Sequence, residues 1–357
     1  MTALSFIYQA SPTRVVFEPG GVARLETEAA RLDLDRVLVL STPEQTHHAD
    51  RAASALGARL AATFAGAAMH TPVEVTSEAL AVARKIQADG LVAIGGGSAI
   101  GLAKALALRT DLPQIVVPTT YAGSEATPIL GQTAQGRKTT LRSPKVLPRT
   151  IVYDIDLTLG MPAHLSVVSG MNAMAHAVEA LYARDGNPVT AMLAEQGIAA
   201  LARALPVIAA DTRNVGARSD ALFGAWACGN CLGTVGMALH HKLCHTLGGS
   251  FDLPHAETHT VILPHVAAFN ALSAPQALRR VARALGVDKA GAGLFDLAQS
   301  LGAPTSLKQL GMPQDGLDKA ADLALANPYW NPRPLERSAI RALLDDAWAG
   351  RPPSSSG

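Results

Sequence analysis

The hydrophobic rhythm of the chain changes once, near residue 158, and that change constrains the fold more than any other feature. Before it, short β-branched runs at 36–41 (RVLVLS), 91–94 (LVAI), 114–118 (QIVVP) and 150–153 (TIVY) read as buried strands. Ala-rich helical patterns at 73–88 and 99–108 lie between them. Strands alternating with helices imply βαβ units and a doubly wound, Rossmann-like parallel sheet. After the change, helical periodicity runs through 163–184, 189–210, 218–247, 255–272, 276–285 and 335–348. Gly or Pro marks the breaks, at Asn187-Pro188, Gly248-Gly249 and Gly286. The pattern predicts an α/β domain over 1–158, an all-helical domain over 159–351 and a disordered tail over 352–357 (PPSSSG).

Composition narrows the function classes. Hydrophobic residues make up 48% of the 357 residues, ample for two cores. Thirty Lys and Arg against 29 Asp and Glu give no basic excess for a nucleic-acid partner. No uninterrupted apolar run reaches the ~18 residues that a membrane span requires. Residues 1–8 lack the basic and apolar regions of a signal peptide. Three cysteines make a disulfide framework an unsuitable reading. A cytoplasmic protein is expected. Cys228 and Cys231 form a CxxC in mid-helix with no second pair, which reads as small packed residues.

The strand at 91–94 runs into Gly95-Gly96-Gly97-Ser98, and a helix follows. Backbone without Cβ atoms can approach a pyrophosphate, and a helix N-terminus offers free N–H groups and a favourable dipole. The run is not GxGxxG, so the ordinary dinucleotide fingerprint does not apply. A second turn after the next strand, PTTYAGSE at 118–125, brings hydroxyls to the same sheet edge. Gly96, Gly97, Ser98, Thr119, Thr120 and Ser124 are the candidate cofactor residues, with Ser41 and Thr42 at the end of the 36–41 strand. Two tight turns without a ligand are the plainer alternative.

Seven of the eleven histidines fall between 176 and 265. Asn172 and His176 stand four apart on one helix, and His241 and His245 repeat that spacing on another. His255 follows a turn carrying Gly248, Gly249 and Pro254. Imidazoles gathered from two helices and a loop can hold a metal or move protons. Asn172, His176, His241, His245 and His255 are the candidate catalytic residues.

These residues carry a resemblance to the iron-containing alcohol dehydrogenase superfamily, with its dehydroquinate synthase-like architecture, over essentially the whole chain. In metal-dependent members the ligands match positions 172, 176, 241 and 255, and position 245 lies beside the substrate. The usual Asp is Asn172 here. Losing the one anionic ligand lowers affinity for a hard cation, so no metal is expected. Asn172 together with PTTYAGSEATPILGQT (118–133), SGMNAMAHAVEALYA (169–183) and HHKLCHTLGGSFDLPHAETHTVILPH (240–265) resembles the maleylacetate reductase family.

The resemblance implies an NAD(P)H-dependent oxidoreductase acting on a CH–CH group. Such an enzyme reduces the C=C bond of maleylacetate to give 3-oxoadipate in bacterial breakdown of chloroaromatic and resorcinol-type compounds. It also implies a homodimer and places Lys138 near the cofactor. Thr42 stands where NAD-selective members carry an Asp, so both NADH and NADPH are expected to serve. Tyr121, Arg142 and Lys242 are candidate contacts for a small dicarboxylate substrate, although Lys242 also reads as a solvated side chain. The alternative is a metal-dependent alcohol or polyol dehydrogenase of the same fold.

Overall fold

The computed structural model describes residues 5–134 and 137–354, with the backbone alone at 137 and 138. It divides into two compact units, Ala10–Met161 and Pro162–Gly357, the segment Met1–Gln9 grouping with the second.

The first unit is built on β1 (Arg14–Phe17), β2 (Val37–Leu40), β3 (Leu60–Phe64), β4 (Gly90–Gly95), β5 (Gln114–Pro118) and β8 (Thr150–Tyr153). They form one parallel sheet in the order β1-β8-β5-β4-β2-β3. Every residue of β2, β4, β5 and β8 is buried, as in strands covered on both faces. Val37, Val39, Val92 and Ile94 pack against α1 (Leu25–Arg31) and α2 (Thr46–Leu56). Leu38, Leu40, Leu91 and Ala93 point the other way, to α3 (Val73–Lys85) and α4 (Gly97–Thr110). The alternation of side chains along a strand thus feeds two cores from one sheet. The unit ends after Met161 rather than at 158, because the 3-10 turn Ile155–Thr158 buries Leu157 in the first of these cores.

β1 and β3 had no clear signal in the sequence. Both are short edge strands with no residue fully buried, so neither shows the continuous apolar run of its neighbours. An antiparallel hairpin, β6 (Ile129–Ala134) and β7 (Arg137–Arg142), follows the β5 turn.

The second unit is all-helical. α5 (Ala163–Leu181) is its central helix, with every residue from Ser166 to Ala180 buried. α6 (Pro188–Ala210) and α7 (Val215–Thr234) close together at Gly197 and Gly224: a Cβ on Gly197 would stand 3.2 Å from the Gly224 carbonyl oxygen. By length and composition α6 could cross a membrane, but half of that window is buried within the fold. Cys228 lies against Gly197, and the Cys231 thiol donates to the Thr190 carbonyl at 3.6 Å, so both are buried packing residues.

The helical stretch read at 218–247 is broken. α7 and α8 (Leu239–Phe251) meet at a bend of 95°. α9 (His255–Asn270), α10 (Pro275–Leu285), α11 (Ala290–Ser300), α12 (Gly316–Leu325) and α13 (Arg337–Ala349) complete the unit. Beyond α13 the tail is not wholly without order: the Ser354 hydroxyl bonds Asp346 at 3.3 Å. Residues 355–357 lie outside the described residues.

Candidate active site

The sheet order reverses between β2 and β4: β3 lies outward of β2, while β5, β8 and β1 run outward of β4. In doubly wound sheets ligands bind beyond the carboxyl ends of the strands at such a switch point. The end of β2 carries Ser41 and Thr42, and the end of β4 carries the glycine run. Gly95 has φ +148°, and a Cβ there would meet Gln45 Oε1 at 2.8 Å, so a side chain is excluded. Gly97 is exposed and opens α4, two residues earlier than the sequence suggested, with no heavy atom within 4 Å of a Cβ. The Gly96 cap supplies no side-chain bond to that helix, which leaves first-turn N–H groups for an anion.

The β5 turn closes over this run. The Thr119 N–H donates to the Gly95 carbonyl at 3.0 Å, and Gln45 Nε2 donates to the Thr119 hydroxyl at 3.1 Å. A Cβ on Gly96 would touch the Thr120 methyl at 3.0 Å. The Ser124 hydroxyl is buried without a partner among the described residues. Thr119 and Thr120 are thereby held against Gly95 and Gly96 at the start of α4. Ser41 is fully buried and bonds the Thr42 carbonyl at 3.3 Å. Tyr121, expected at the substrate, is fully buried in the same turn. Arg142 is exposed at the end of β7. The side chain of Lys138 lies outside the described residues.

In the second unit the histidines form a layered cluster. His245 on α8 and His255 at the start of α9 are exposed, whereas His176, His241 and Asn172 are buried. Ring centroids of His241 and His245 are 6.3 Å apart, and those of His176 and His241 are 5.0 Å apart. His241 Nδ1 lies 2.7 Å from Glu179 Oε2, and His241 Nε2 lies 2.9 Å from His176 Nδ1. A carboxylate only accepts, so His241 Nδ1 carries the proton and its Nε2 accepts from His176. The same Glu179 accepts backbone N–H groups from Ala238 and His240 at 2.9 and 2.7 Å. One buried carboxylate thus satisfies the start of α8 at the bend and orients its second residue pair.

Two histidines that sequence reasoning left aside sit behind this layer. His240 Nε2 and His259 Nδ1 are 2.9 Å apart and both rings are fully buried, with Cys244 Sγ 3.7 Å from His240 Nε2. Burial, and then the neighbouring imidazoles, hold both rings well below the usual histidine value, hence neutral. His259 packs 4.4 Å from the His255 ring and backs it. The i,i+4 step from His255 to His259 was visible in the sequence; the residue that organises the cluster, Glu179, carried no signal beyond lying one turn past His176. Lys242 is half-buried, with its ammonium 5.7 Å from the Tyr329 ring centroid.

The comparisons with known proteins identify the family. Residues 12–155 match the iron-containing alcohol dehydrogenase family, and residues 166–348 match the Fe-containing alcohol dehydrogenase family, C-terminal. The chain is 55% identical to the maleylacetate reductase of Rhizobium sp. (strain MTP-10005) over 98% of this chain and 99% of that one. It is 55% identical to the maleylacetate reductase of Burkholderia cepacia, with coverage of 98% and 99%. The crystal structure of maleylacetate reductase from Agrobacterium tumefaciens superposes with a TM-score of 0.96 at 57% identity, over 98% of this chain and all of that one. The chain belongs to the iron-containing alcohol dehydrogenase family and, within it, to the maleylacetate reductase branch.

Proposed function

We propose that this protein is a maleylacetate reductase, reducing the C=C bond of maleylacetate to 3-oxoadipate with NADH or NADPH. The observation that carries the reading is the His245–His241–His176–Glu179 array in a chain 55% identical to named maleylacetate reductases.

The fold family implies iron, and the donor set does not fit it. Asn172 offers a neutral amide where an anionic oxygen would be needed, and its buried Oδ1 has no partner among the described residues. The chemistry is therefore assigned to the side chains alone.

The dinucleotide does fit. Gly96, Gly97 and Ser98 at the start of α4, with Thr119 and Thr120 opposite, would hold the pyrophosphate. The bound nicotinamide supplies hydride. Maleylacetate supplies its own electron sink, because its alkene is conjugated to a ketone and negative charge spreads onto the ketone oxygen as an enolate. His245 and His255, exposed on the cluster, donate hydrogen bonds to that oxygen, each worth about 3 kcal/mol of barrier. His241, held in one tautomer by Glu179, and His176 keep the array oriented, and one imidazole returns the proton that completes the reduction. Lys242 serves a substrate carboxylate, and Lys138 serves the cofactor.

Thr42 leaves room for a 2′-phosphate, so both cofactors serve. A homodimer is supported by an exposed apolar segment before β1, where Phe6 and Tyr8 are exposed and Ile7 is 94% exposed. A cytoplasmic location is supported by three free, buried thiols.

The test is NADH oxidation with maleylacetate after exhaustive dialysis against chelator. Rapid turnover is expected. Turnover that returned only with added Fe²⁺ or Zn²⁺ would overturn the metal-free mechanism, and activity confined to alcohols plus metal would assign the chain to the alcohol dehydrogenases.

A further inference from the structure

The first unit contains a fully buried cation that the cofactor reading does not use. Lys104 lies on α4 with 2% of its surface exposed. Its ammonium donates to the carbonyl oxygens of Ser124 at 2.6 Å, Thr127 at 2.7 Å and Ile129 at 2.9 Å. Thr127 Oγ1 lies 3.0 Å away and itself donates to the Ser124 carbonyl at 2.9 Å. Four oxygens thus surround the ammonium, enough to occupy all three of its hydrogens. A buried charge persists only when it is paired and hydrogen-bonded throughout. Glu125, beside Ser124 in the chain, is also fully buried, and its Oε1 accepts from the Tyr153 hydroxyl at 2.9 Å. Burial pushes Lys104 down, to about 7, and pushes Glu125 up, and each charge opposes the other's shift.

The position of this group on α4 gives it a purpose. Gly97 and Lys104 are seven residues apart, two helical turns, and so share one face of the helix. The near end of the segment 119–129 is tied to the glycine run through Thr119 and Gly95, and its far end is tied to Lys104. Both walls of the cradle are thereby registered to a single helix. Resting on the dinucleotide reading above, we infer that Lys104 is a positioning residue for cofactor binding: it presets the Thr119–Ser124 wall against the N-terminus of α4. Without it the wall has to be ordered at the expense of binding free energy each time the cofactor enters.

The experiment compares the wild type with Lys104→Met by NADH fluorescence titration, by hydrogen exchange of the cofactor-free protein, and by steady-state kinetics. The expected result is a rise of about tenfold or more in NADH Kd, with faster exchange confined to 119–130 and slowed again by NADH. At saturating NADH, kcat and the maleylacetate KM stay within about twofold of wild type. A variant that exchanges faster yet binds NADH as tightly as wild type would overturn the inference, and so would unchanged exchange. If Lys104→Met does not fold, Thr127→Val carries the test by removing one acceptor, with an expected rise of about threefold in Kd; no rise would overturn it. A wild type that binds neither nicotinamide would overturn the function proposed above, while the exchange comparison would still report whether Lys104 orders the wall.

Discussion

Glu179 holds His241 by a 2.7 Å hydrogen bond at Nδ1 while the same carboxylate caps the start of α8 through Ala238 and His240. The orientation of the His241 imidazole and the 95° bend before it therefore depend on one buried group. Glu179→Gln keeps the shape but leaves one oxygen where two accept. Loss of an orienting carboxylate behind a working histidine costs about 10–100-fold, and each orphaned N–H about 1–3 kcal/mol. The expected outcome is a fall in kcat of that size, lower resistance to urea and unchanged NADH affinity. A kcat within twofold of wild type would remove Glu179 from the mechanism.

His245 and His255 are the exposed members of the cluster, so replacing either leaves the core intact. His245→Ala is expected to lower kcat by about 10²–10⁴-fold with melting temperature and NADH Kd unchanged. If His245→Ala and His255→Ala both retain near-normal kcat, the protonation and enolate roles lie elsewhere.

Asn172→Asp puts an anionic oxygen beside His176 at a buried position whose amide oxygen has no partner among the described residues. That supplies the anionic oxygen that Asn172 lacks, so the variant should retain Zn²⁺ or Fe²⁺ at least about tenfold more tightly than wild type, read by calorimetry or elemental analysis. Equal metal affinity would mean that Asn172 is not what disfavours the cation.

Gly97→Asp separates stability from cofactor binding. A Cβ at this position meets no atom within 4 Å, and a carboxylate in the first turn of α4 suits the helix dipole by about 0.3–1 kcal/mol. The same charge repels a pyrophosphate. Melting temperature should hold or rise while NADH Kd rises at least about tenfold; unchanged affinity would place the phosphates elsewhere.

His265 on α9 is buried, and burial lowers its value to about 4, with Asp346 acting against and Arg351 with the shift. The unfolded chain binds the proton below about 6.5, so this contribution is complete above that pH and is lost as pH falls towards 4. The difference corresponds to about 3 kcal/mol. His265→Leu should flatten the decline in melting temperature between those values, and a decline identical to wild type would assign it to other groups.

Local rules made much of this protein legible. β5 and β8 begin and end where the sequence runs do, because strands buried on both faces read as nearly continuous apolar runs. The glycine turn was readable because φ +148° at Gly95 excludes any side chain, and the Asn172/His176 and His241/His245 pairs because 3.6 residues per turn puts i and i+4 on one face. Tertiary packing decided the remainder. Spacing cannot distinguish exposed His245 from buried His176, since both repeat the same step and only neighbouring helices set their burial. It cannot supply Glu179 as the partner of His241, 62 residues away, or show that α7 breaks from α8 to meet that carboxylate. Nor can it show that Lys104, a surface residue by composition, is drawn inside by three carbonyls of a later loop. Periodicity reports which face of an element turns inward; which polar groups meet there depends on elements far apart in the chain, and their desolvation has to be satisfied jointly.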